Sequence, residues 1–227
     1  MKRDQSTMIL STLIFSISIM LSGNVFAADT TPNRVTQSEF NAAIANLQAQ
    51  IDKLTSLKIG DHFGGGVVFY IDPTSKHGLI ASLSDQSIGI QWYNGVYKVT
   101  GATGDGVGAG ATNTAIIVAA QSNDTPGGNF AAKVAADFSV QENGFTPCTG
   151  SADEICYGDW YLPSKHELNL LCQQHFAVGV AVFFNGGNYW SSTEYSNSGA
   201  WNQDFTSCGQ PSNGKNANLA VRAIRAF

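Results

Sequence analysis

Charged side chains are scarce in this chain of 227 residues, where they make up 13% of the sequence. Only 12 residues are Lys or Arg, against 17 Asp or Glu, which argues against nucleic acid as a partner because phosphate binding depends on basic side chains. Cysteine is also sparse, with four residues, so the chain is not a small disulfide-dense scaffold. With 43% hydrophobic residues, it is not a disordered acidic tail either. The sequence therefore predicts one globular domain, alone or with an appended segment.

Beyond residues 1–27 the sequence lacks an apolar run that could span a membrane, which takes about 20 residues. Residues 1–27 themselves have the pattern of an export signal. Lys2 and Arg3 form its basic start, residues 8–21 are apolar apart from Ser and Thr, and Ala27 ends the cleavage motif. A membrane-spanning helix is the alternative, but the apolar run is too short for a bilayer. We predict removal of residues 1–27 and a location outside the cytoplasm, secreted or on a bacterial cell surface, with no transmembrane segment left.

Export would place the four cysteines in an oxidising compartment, where they can pair in three ways. We favour a Cys148–Cys156 bond, which closes a short polar loop, and a Cys172–Cys208 bond, which ties a helix to a late strand. Their spacing does not fit the Cys-x-x-Cys pattern of redox or zinc sites. The glycine-rich residues 106–111 lack the βαβ context of a dinucleotide site. No metal and no cofactor is predicted.

Residues 28–58 contain a linker and one amphipathic helix. Thr36 and Glu39 fit a capping box, and Val35 and Phe40 fit the hydrophobic staple around it. The apolar seam then follows a heptad with Ile at a and Leu at d. Its members are Phe40, Ile44, Leu47, Ile51 and Leu54.

An isolated helix of this length is marginal in water, so its seam must be buried. The seam could pack on the chain's own domain, as amphipathic helices commonly do. The nearly strict 3.5-residue period favours a coiled coil with other copies instead. Ile at a with Leu at d indicates two strands, whereas Leu57 at g widens the seam towards three.

Residues 59–227 read as strands with a few short helices in irregular order, which predicts an α+β fold with a mainly antiparallel sheet. A hairpin is expected at Asn94-Gly95, a turn at Asn213-Gly214, and a helix after the capping box of Ser164 and Glu167. The other expected strands are residues 65–71, 78–82, 189–195, 200–205 and 219–227, and the other expected helices are residues 114–120 and 131–138.

Aromatic side chains beside Asn, Ser and Gly suggest a sugar-binding surface. For Trp160, Trp190 and Trp201 the alternative is a place in the core with the indole N–H bound internally, since large aromatics dominate core burial. The candidates are Trp92, Tyr93, Tyr97, Trp160, Tyr161, Tyr189, Trp190, Tyr195 and Trp201.

Four blocks in this order resemble the Lcl C-terminal domain family, the terminal domain of collagen-like bacterial adhesins. The blocks are GDWYLPSKHELNLL at 158–171, YWSSTEY at 189–195, AWNQDF at 200–205 and VRAIRAF at 221–227. The resemblance covers about residues 60–227. It implies a C-type lectin-like domain that forms homotrimers on the cell surface, binds sulfated glycosaminoglycans, and promotes adhesion or biofilm formation.

This chain departs from that pattern in two ways. It has no Gly-x-y collagen repeat, and the heptad helix stands in its place. From Gly60 onward it has 7 basic and 13 acidic residues, a formal charge of −6, so sulfated glycan would need a local basic patch. Arg222 and Arg225 are expected to pair with internal carboxylates. The remaining candidates for the patch are Lys165, His166, Lys76, Lys98 and Lys215.

We therefore predict a non-enzymatic, exported, oligomeric adhesin-type protein, a homotrimer or a dimer, that binds carbohydrate by multivalency. The carbohydrate includes sulfated glycosaminoglycan as one class. Two alternatives stay open: an enzyme that acts on glycan or cell-wall material on a lectin-like fold, and a purely structural trimer that contacts other proteins.

Overall fold

A computed structural model describes residues 36–123, 128–175, 177–178 and 187–227; the side chains of residues 49 and 51–55 are outside that description. The export signal, Val35 and the seam side chains Ile51 and Leu54 therefore lie outside the described residues. The chain divides into two compact units, with the boundary between Leu54 and Thr55. In the described part of the chain, no helix combines the length and the apolar character that crossing a membrane requires.

Helix α1 (Gln37–Thr55) makes up the described part of the N-terminal unit. Its capping box is present: Glu39 N donates to Thr36 Oγ1 (3.2 Å), and Thr36 N donates to Glu39 Oε2 (2.8 Å). These bonds satisfy two backbone donors that an α-helix leaves without intrahelical partners. Of the seam residues, Phe40 is 37% exposed and Leu47 is 54% exposed in the single chain.

The C-terminal unit is α+β, as predicted. Its first sheet is antiparallel, with the strand order β1-β2-β3-β11. Strand β11 lies at the end of the chain and pairs with β3, with Ile224 opposite Ala81. The last strand of the unit therefore lies in the same sheet as its first three strands. The strands are β1 (His62–Phe63), β2 (Gly66–Ile71), β3 (Gly78–Ser82) and β11 (Ile224–Ala226).

The second sheet has the order β4-β10-β7-β8-β9 and is mixed. Strand β10 runs parallel to β7, with Ala220 opposite Tyr189, and the other pairs are antiparallel. The strands are β4 (Ser87–Ile90), β7 (Asn188–Glu194), β8 (Gly199–Asp204), β9 (Ser212–Gly214) and β10 (Leu219–Val221). A separate ribbon pairs β5 (Val140–Gln141) with β6 (Cys156–Tyr157).

Helices α2 (Ala109–Ser122), α3 (Ala131–Ala136) and α4 (Lys165–Gln173) complete the unit. Trp92, Trp160 and Trp190 are core residues, and each indole N–H donates to a backbone carbonyl, as in the core alternative. Trp201 differs from them because it is half-exposed.

Both favoured disulfides are present. Cys148 is bonded to Cys156, eight residues away, and Cys172 to Cys208, thirty-six residues away. The longer bond ties α4 to the segment after β8, as expected. Two disulfides are compatible with a secreted protein.

Three local predictions are wrong. Residues 91–99 form no hairpin, because Asn94 N donates to Gln121 Oε1 (3.2 Å) and its amide donates to Gln121 O (3.0 Å) instead. Asn213 and Gly214 belong to strand β9 rather than to a turn. The single expected strand at 219–227 is two strands, β10 and β11, that join different sheets.

Candidate functional site

A cation–aromatic arrangement in the C-terminal unit lies where α4 meets β8. Lys165 Nζ stands 3.8 Å from the centroid of the Trp201 ring. Tyr195 packs its ring edge-to-face against Trp201 at 5.0 Å and is itself 57% exposed. We call Lys165, Tyr195 and Trp201 the Trp201 cluster.

The backbone around Lys165 is held from two sides. Lys165 N donates to Thr193 Oγ1 (2.9 Å), and Gln210 Nε2 donates to Lys165 O (2.7 Å). Lys165 is also the first residue of α4, whose cap at Ser164 fixes where the helix begins. Tyr195 directly follows β7 and Trp201 lies in β8, so the hairpin between these strands brings the two rings together.

The N-terminus of α4 offers no free donors to an anion, because its first amides already have partners. His166 N donates to Asp105 Oδ1 (2.7 Å), and Glu167 N donates to Ser164 Oγ (3.2 Å). Any anion bound here would therefore interact with the Lys165 ammonium and the exposed His166 ring rather than with the helix end.

The five predicted cations do not share one element. Lys165 and His166 begin α4, whereas Lys76 is exposed in the turn between β2 and β3. Lys98 lies in the loop before α2, and its Nζ donates to Ala120 O (3.1 Å).

Lys215 was predicted to be a ligand-binding cation, and its position contradicts this. Its side chain has no exposure, and its Nζ lies 2.6 Å from Glu194 Oε1. The same Nζ donates to Lys98 O (2.8 Å) and lies 4.6 Å from the Trp92 ring centroid. Lys215 is therefore an internal ion-pair partner.

Burial and hydrogen bonding act oppositely on this ion pair. Burial raises the pKa of Glu194, but hydrogen bonds from Lys215 and from the amides of Thr100 and Gly101 outweigh it, so the pKa lies below its ordinary value. Burial also lowers the pKa of Lys215, against the opposing effect of Glu194. The carboxylate thereby fixes the 100–101 loop to the core.

Both arginines pair with carboxylates, but only Arg222 has the internal partner that was predicted, since the Asp159 side chain is 60% exposed. Arg222 Nη2 lies 2.7 Å from Asp85 Oδ1, and both side chains are buried. Arg225 binds both oxygens of Asp159, at 2.7 and 3.0 Å. With the pairs Lys215–Glu194 and Lys133–Asp137, the ion pairs found within the described residues engage four of the seven cations after Gly60.

The glycine-rich residues 106–111 serve a structural role. Gly108 N donates to Glu167 Oε1 (2.7 Å), and a Cβ at Gly110 would lie 2.7 Å from Ser164 N. Glu167 is buried, which raises its pKa despite hydrogen bonds from Ser164, Gly108 and Tyr161. These glycines let the backbone approach a buried carboxylate.

Two groups of metal-type ligands occur among the described residues, and both contain a disulfide. One combines His175 with Cys172 and Cys208, the other Glu154 with Cys148 and Cys156. Oxidised sulfur is not the thiolate that binds metal, so neither group is a metal site in this state.

Tyr195 and Trp201 were among the aromatic candidates but not among the predicted site residues. The sequence did carry a signal: two aromatics flank the polar residues 196–199 between two strand patterns, which places them at one end of a hairpin. What it lacked was any indication that Lys165 approaches them. No known protein family and no curated protein matches this chain.

Proposed function

We propose that the chain is an exported, self-associating and non-enzymatic binding protein that attaches to carbohydrate through the Trp201 cluster. The observation that supports this most is the geometry of the cluster. A strongly exposed tyrosine and a half-exposed tryptophan stand beside an ammonium group, while the other three tryptophans are buried. An exposed aromatic ring beside a polar group suits a ligand that has both an apolar face and hydrated polar groups.

Carbohydrate fits this chemistry because a sugar ring has C–H faces for stacking and hydroxyl groups for hydrogen bonding. Lys165, and His166 next to it, add preference for an acidic or sulfated sugar. A long polyanion fits less well, because residues 60–227 carry a formal charge of −6 and the ion pairs within the described residues engage four of the seven cations in that range. A glycosaminoglycan would thus engage the cluster through one anionic group at a time.

We further propose that α1 joins several copies into a coiled coil, a trimer or a dimer. Support comes from the heptad pattern and from the exposure of Phe40 and Leu47 in the single chain. One weak site is then repeated on each copy. Linked sites bind a multivalent surface more tightly than single sites, by about 10²–10⁴, because later contacts form at high effective concentration.

The sequence blocks that resemble the Lcl C-terminal domain family support the same proposal. The proposal includes a C-type lectin-like fold for residues 59–227. The mixed sheet and the short helices of this part of the chain are compatible with that fold. The proposal also includes removal of residues 1–27 and attachment at a cell surface. The heptad helix would replace the collagen-like stalk in holding the copies together.

The test is a glycan array probed with the purified protein, repeated at rising salt. We expect binding that falls with salt, because an exposed ammonium group is screened beyond a Debye length of about 8 Å at physiological ionic strength. Release of product from an unmodified glycan would contradict the non-enzymatic part. Absence of binding to every glycan would contradict the whole proposal.

Matched variants assign the binding to the cluster. Tyr195→Ala and Lys165→Gln should each weaken it. Tyr97→Ala is the aromatic control, since Tyr97 is 44% exposed in another loop, and Lys76→Gln is the cation control. Equal loss in the controls and the cluster variants would contradict the assignment.

A further inference from the structure

A pocket of about 410 Å³ lies at the other end of β7, where β10 runs between β7 and the edge strand β4. Its volume falls within the range of about 300–1,000 Å³ that is typical of small-molecule sites. The lining residues are Asp85, Ile88, Gly187, Asn188, Tyr189, Asn218, Leu219 and Ala220.

The pocket is separate from the Trp201 cluster. Asn188 is the first residue of β7, and Tyr195 follows the last residue, Glu194. Six residue-to-residue steps along the strand lead from Asn188 to Glu194, which corresponds to about 20 Å at roughly 3.3 Å per residue. A ligand in the pocket would therefore not touch Tyr195.

The lining combines an apolar wall with uncharged polar groups. Ile88, Leu219 and Ala220 form the wall, and Ile88 is 90% exposed. Asn188 and Asn218 contribute side-chain amides, and within the described residues neither amide makes a hydrogen bond. Each amide can donate and accept, so both are available to hydroxyl groups of a ligand.

The floor of the pocket carries a carboxylate. Asp85 Oδ2 accepts a hydrogen bond from the Tyr189 hydroxyl (3.1 Å), and Asp85 Oδ1 pairs with Arg222. Burial raises the pKa of Asp85 despite Arg222, so its ionised form is incompletely stabilised. A ligand that donates a hydrogen bond would stabilise it further. No cation is among the lining residues, so the pocket offers nothing to an anion.

We infer that this pocket is a second binding site, for a neutral molecule that has several hydroxyl groups and an apolar face, such as one end of an uncharged saccharide. The amides of Asn188 and Asn218 bind the hydroxyl groups, and the aliphatic wall covers the C–H face. This inference does not rest on the function proposed for the Trp201 cluster. The ligand proposed for that cluster stacks on aromatic rings and can be an acidic sugar.

The test is saturation-transfer NMR of the purified protein with methyl α-D-glucopyranoside and methyl β-D-galactopyranoside, with D-glucuronate as the anionic probe. At least one neutral glycoside should receive saturation at millimolar concentration, and glucuronate should bind more weakly. The double variant Asn188→Ala/Asn218→Ala should bind that glycoside about tenfold more weakly, since the hydrogen bonds from both side-chain amides to the ligand are lost. The control Asn46→Ala/Asn197→Ala removes two exposed amides that do not line the pocket and should bind it as the wild type does.

Three results would overturn the inference. Neither neutral glycoside is bound, the Asn188→Ala/Asn218→Ala variant binds unchanged, or the Asn46→Ala/Asn197→Ala control loses the signal. An unchanged Asn188→Ala/Asn218→Ala variant would place the glycoside outside the pocket, for example at the Trp201 cluster. Near-ultraviolet circular dichroism checks that the asparagine variants keep the native packing, and Asn218→Ala alone, at an exposed position, gives a second variant.

Discussion

Lys215 shows how far the fate of one side chain depends on residues distant in sequence. Its neighbours, Ser212-Asn213-Gly214 and Asn216, are polar and typical of an exposed turn, so the sequence predicts a solvated lysine. Its partner Glu194 is twenty-one residues away, in another strand. The residues next to Lys215 in the sequence do not reveal its ion pair with Glu194. Both charges become buried only when distant segments of the chain pack together in the fold.

Replacement of Glu194 by Gln should destabilise the protein by about 3–5 kcal/mol, because Lys215 is left as a buried charge without its counter-ion. Guanidinium unfolding measures the change. Asp137→Asn breaks the exposed i,i+4 pair with Lys133 and should cost at most about 0.5 kcal/mol. The double variant Glu194→Gln/Lys215→Met should recover much of the loss, and equal losses at the two ion pairs would contradict the account.

The same ion pair predicts a pH dependence. The pKa of Glu194 is lowered below its ordinary value of 4.5, so its stabilising effect is complete above that pH and is lost as the pH falls through the lower folded value. The free energy of unfolding of wild type relative to Glu194→Gln/Lys215→Met should thus decrease with acidification. A relative free energy that rises as the pH falls would indicate a raised pKa instead.

Gly110 gives a steric prediction at the scale of one methyl group. A Cβ there would lie 2.8 Å from Tyr161 Cε2 and would also meet Glu167 and Ser164, so Gly110→Ala should cost about 1–3 kcal/mol. Gly158→Ala is the matched control, because its nearest neighbour, Ser139 Cβ, is 3.8 Å away. Thermal unfolding of the two variants checks this, and similar melting temperatures would contradict it.

At the scale of elements, the sequence predicted the parts whose cause is local. Both capping boxes form as expected, since a helix start depends on a few adjacent residues. Strands β2, β3, β7 and β8 lie where β-rich residues are bounded by turn residues. The Asn94-Gly95 hairpin fails because α2 supplies Gln121 as a competing partner.

The structure of the last nine residues also depends on contacts with distant parts of the chain. Their sequence predicts one strand, but Arg222 and Ala223 lie between β10 and β11 and belong to neither strand. Arg222 turns to Asp85 and Ser82 O, while Arg225 turns to Asp159. These ion pairs join residues more than sixty positions apart in the sequence. The hydrophobic pattern of residues 219–227 therefore does not predict where β10 ends.

The two disulfides should differ in their effect on stability. Cross-links restrict the unfolded chain more when the loop is longer, which predicts a loss of about 4 kcal/mol for Cys172→Ala/Cys208→Ala and about 2.5 kcal/mol for Cys148→Ala/Cys156→Ala. The separations are 36 and 8 residues. Chemical unfolding of the two double variants tests the order, and a larger loss for the short loop would contradict it.

For the whole molecule, the distribution of charge was partly predictable. The formal charge of −6 from Gly60 onward and the pairing of Arg222 and Arg225 with carboxylates follow from the sequence. The Trp201 cluster did not follow, because Lys165 meets Trp201 only when α4 packs on β8. A candidate site made from residues far apart in the chain needs the fold before it can be recognised.

The proposed adhesion depends on weak carbohydrate sites that act together through α1. Ile44→Asp/Leu47→Asp places charge in the heptad seam and should separate the copies, which sedimentation equilibrium verifies. Ala42→Asp/Ala45→Asp adds the same charge outside the seam and serves as control.

The most direct measurement is retention of these variants on an immobilised glycan that the array identifies. We expect the seam variant to dissociate from the glycan about 10²–10⁴ times more readily than the wild type and the control. The affinity of each single site in solution should be unchanged. Equal retention of all three proteins, or a wild type that sediments as single chains, would contradict this expectation.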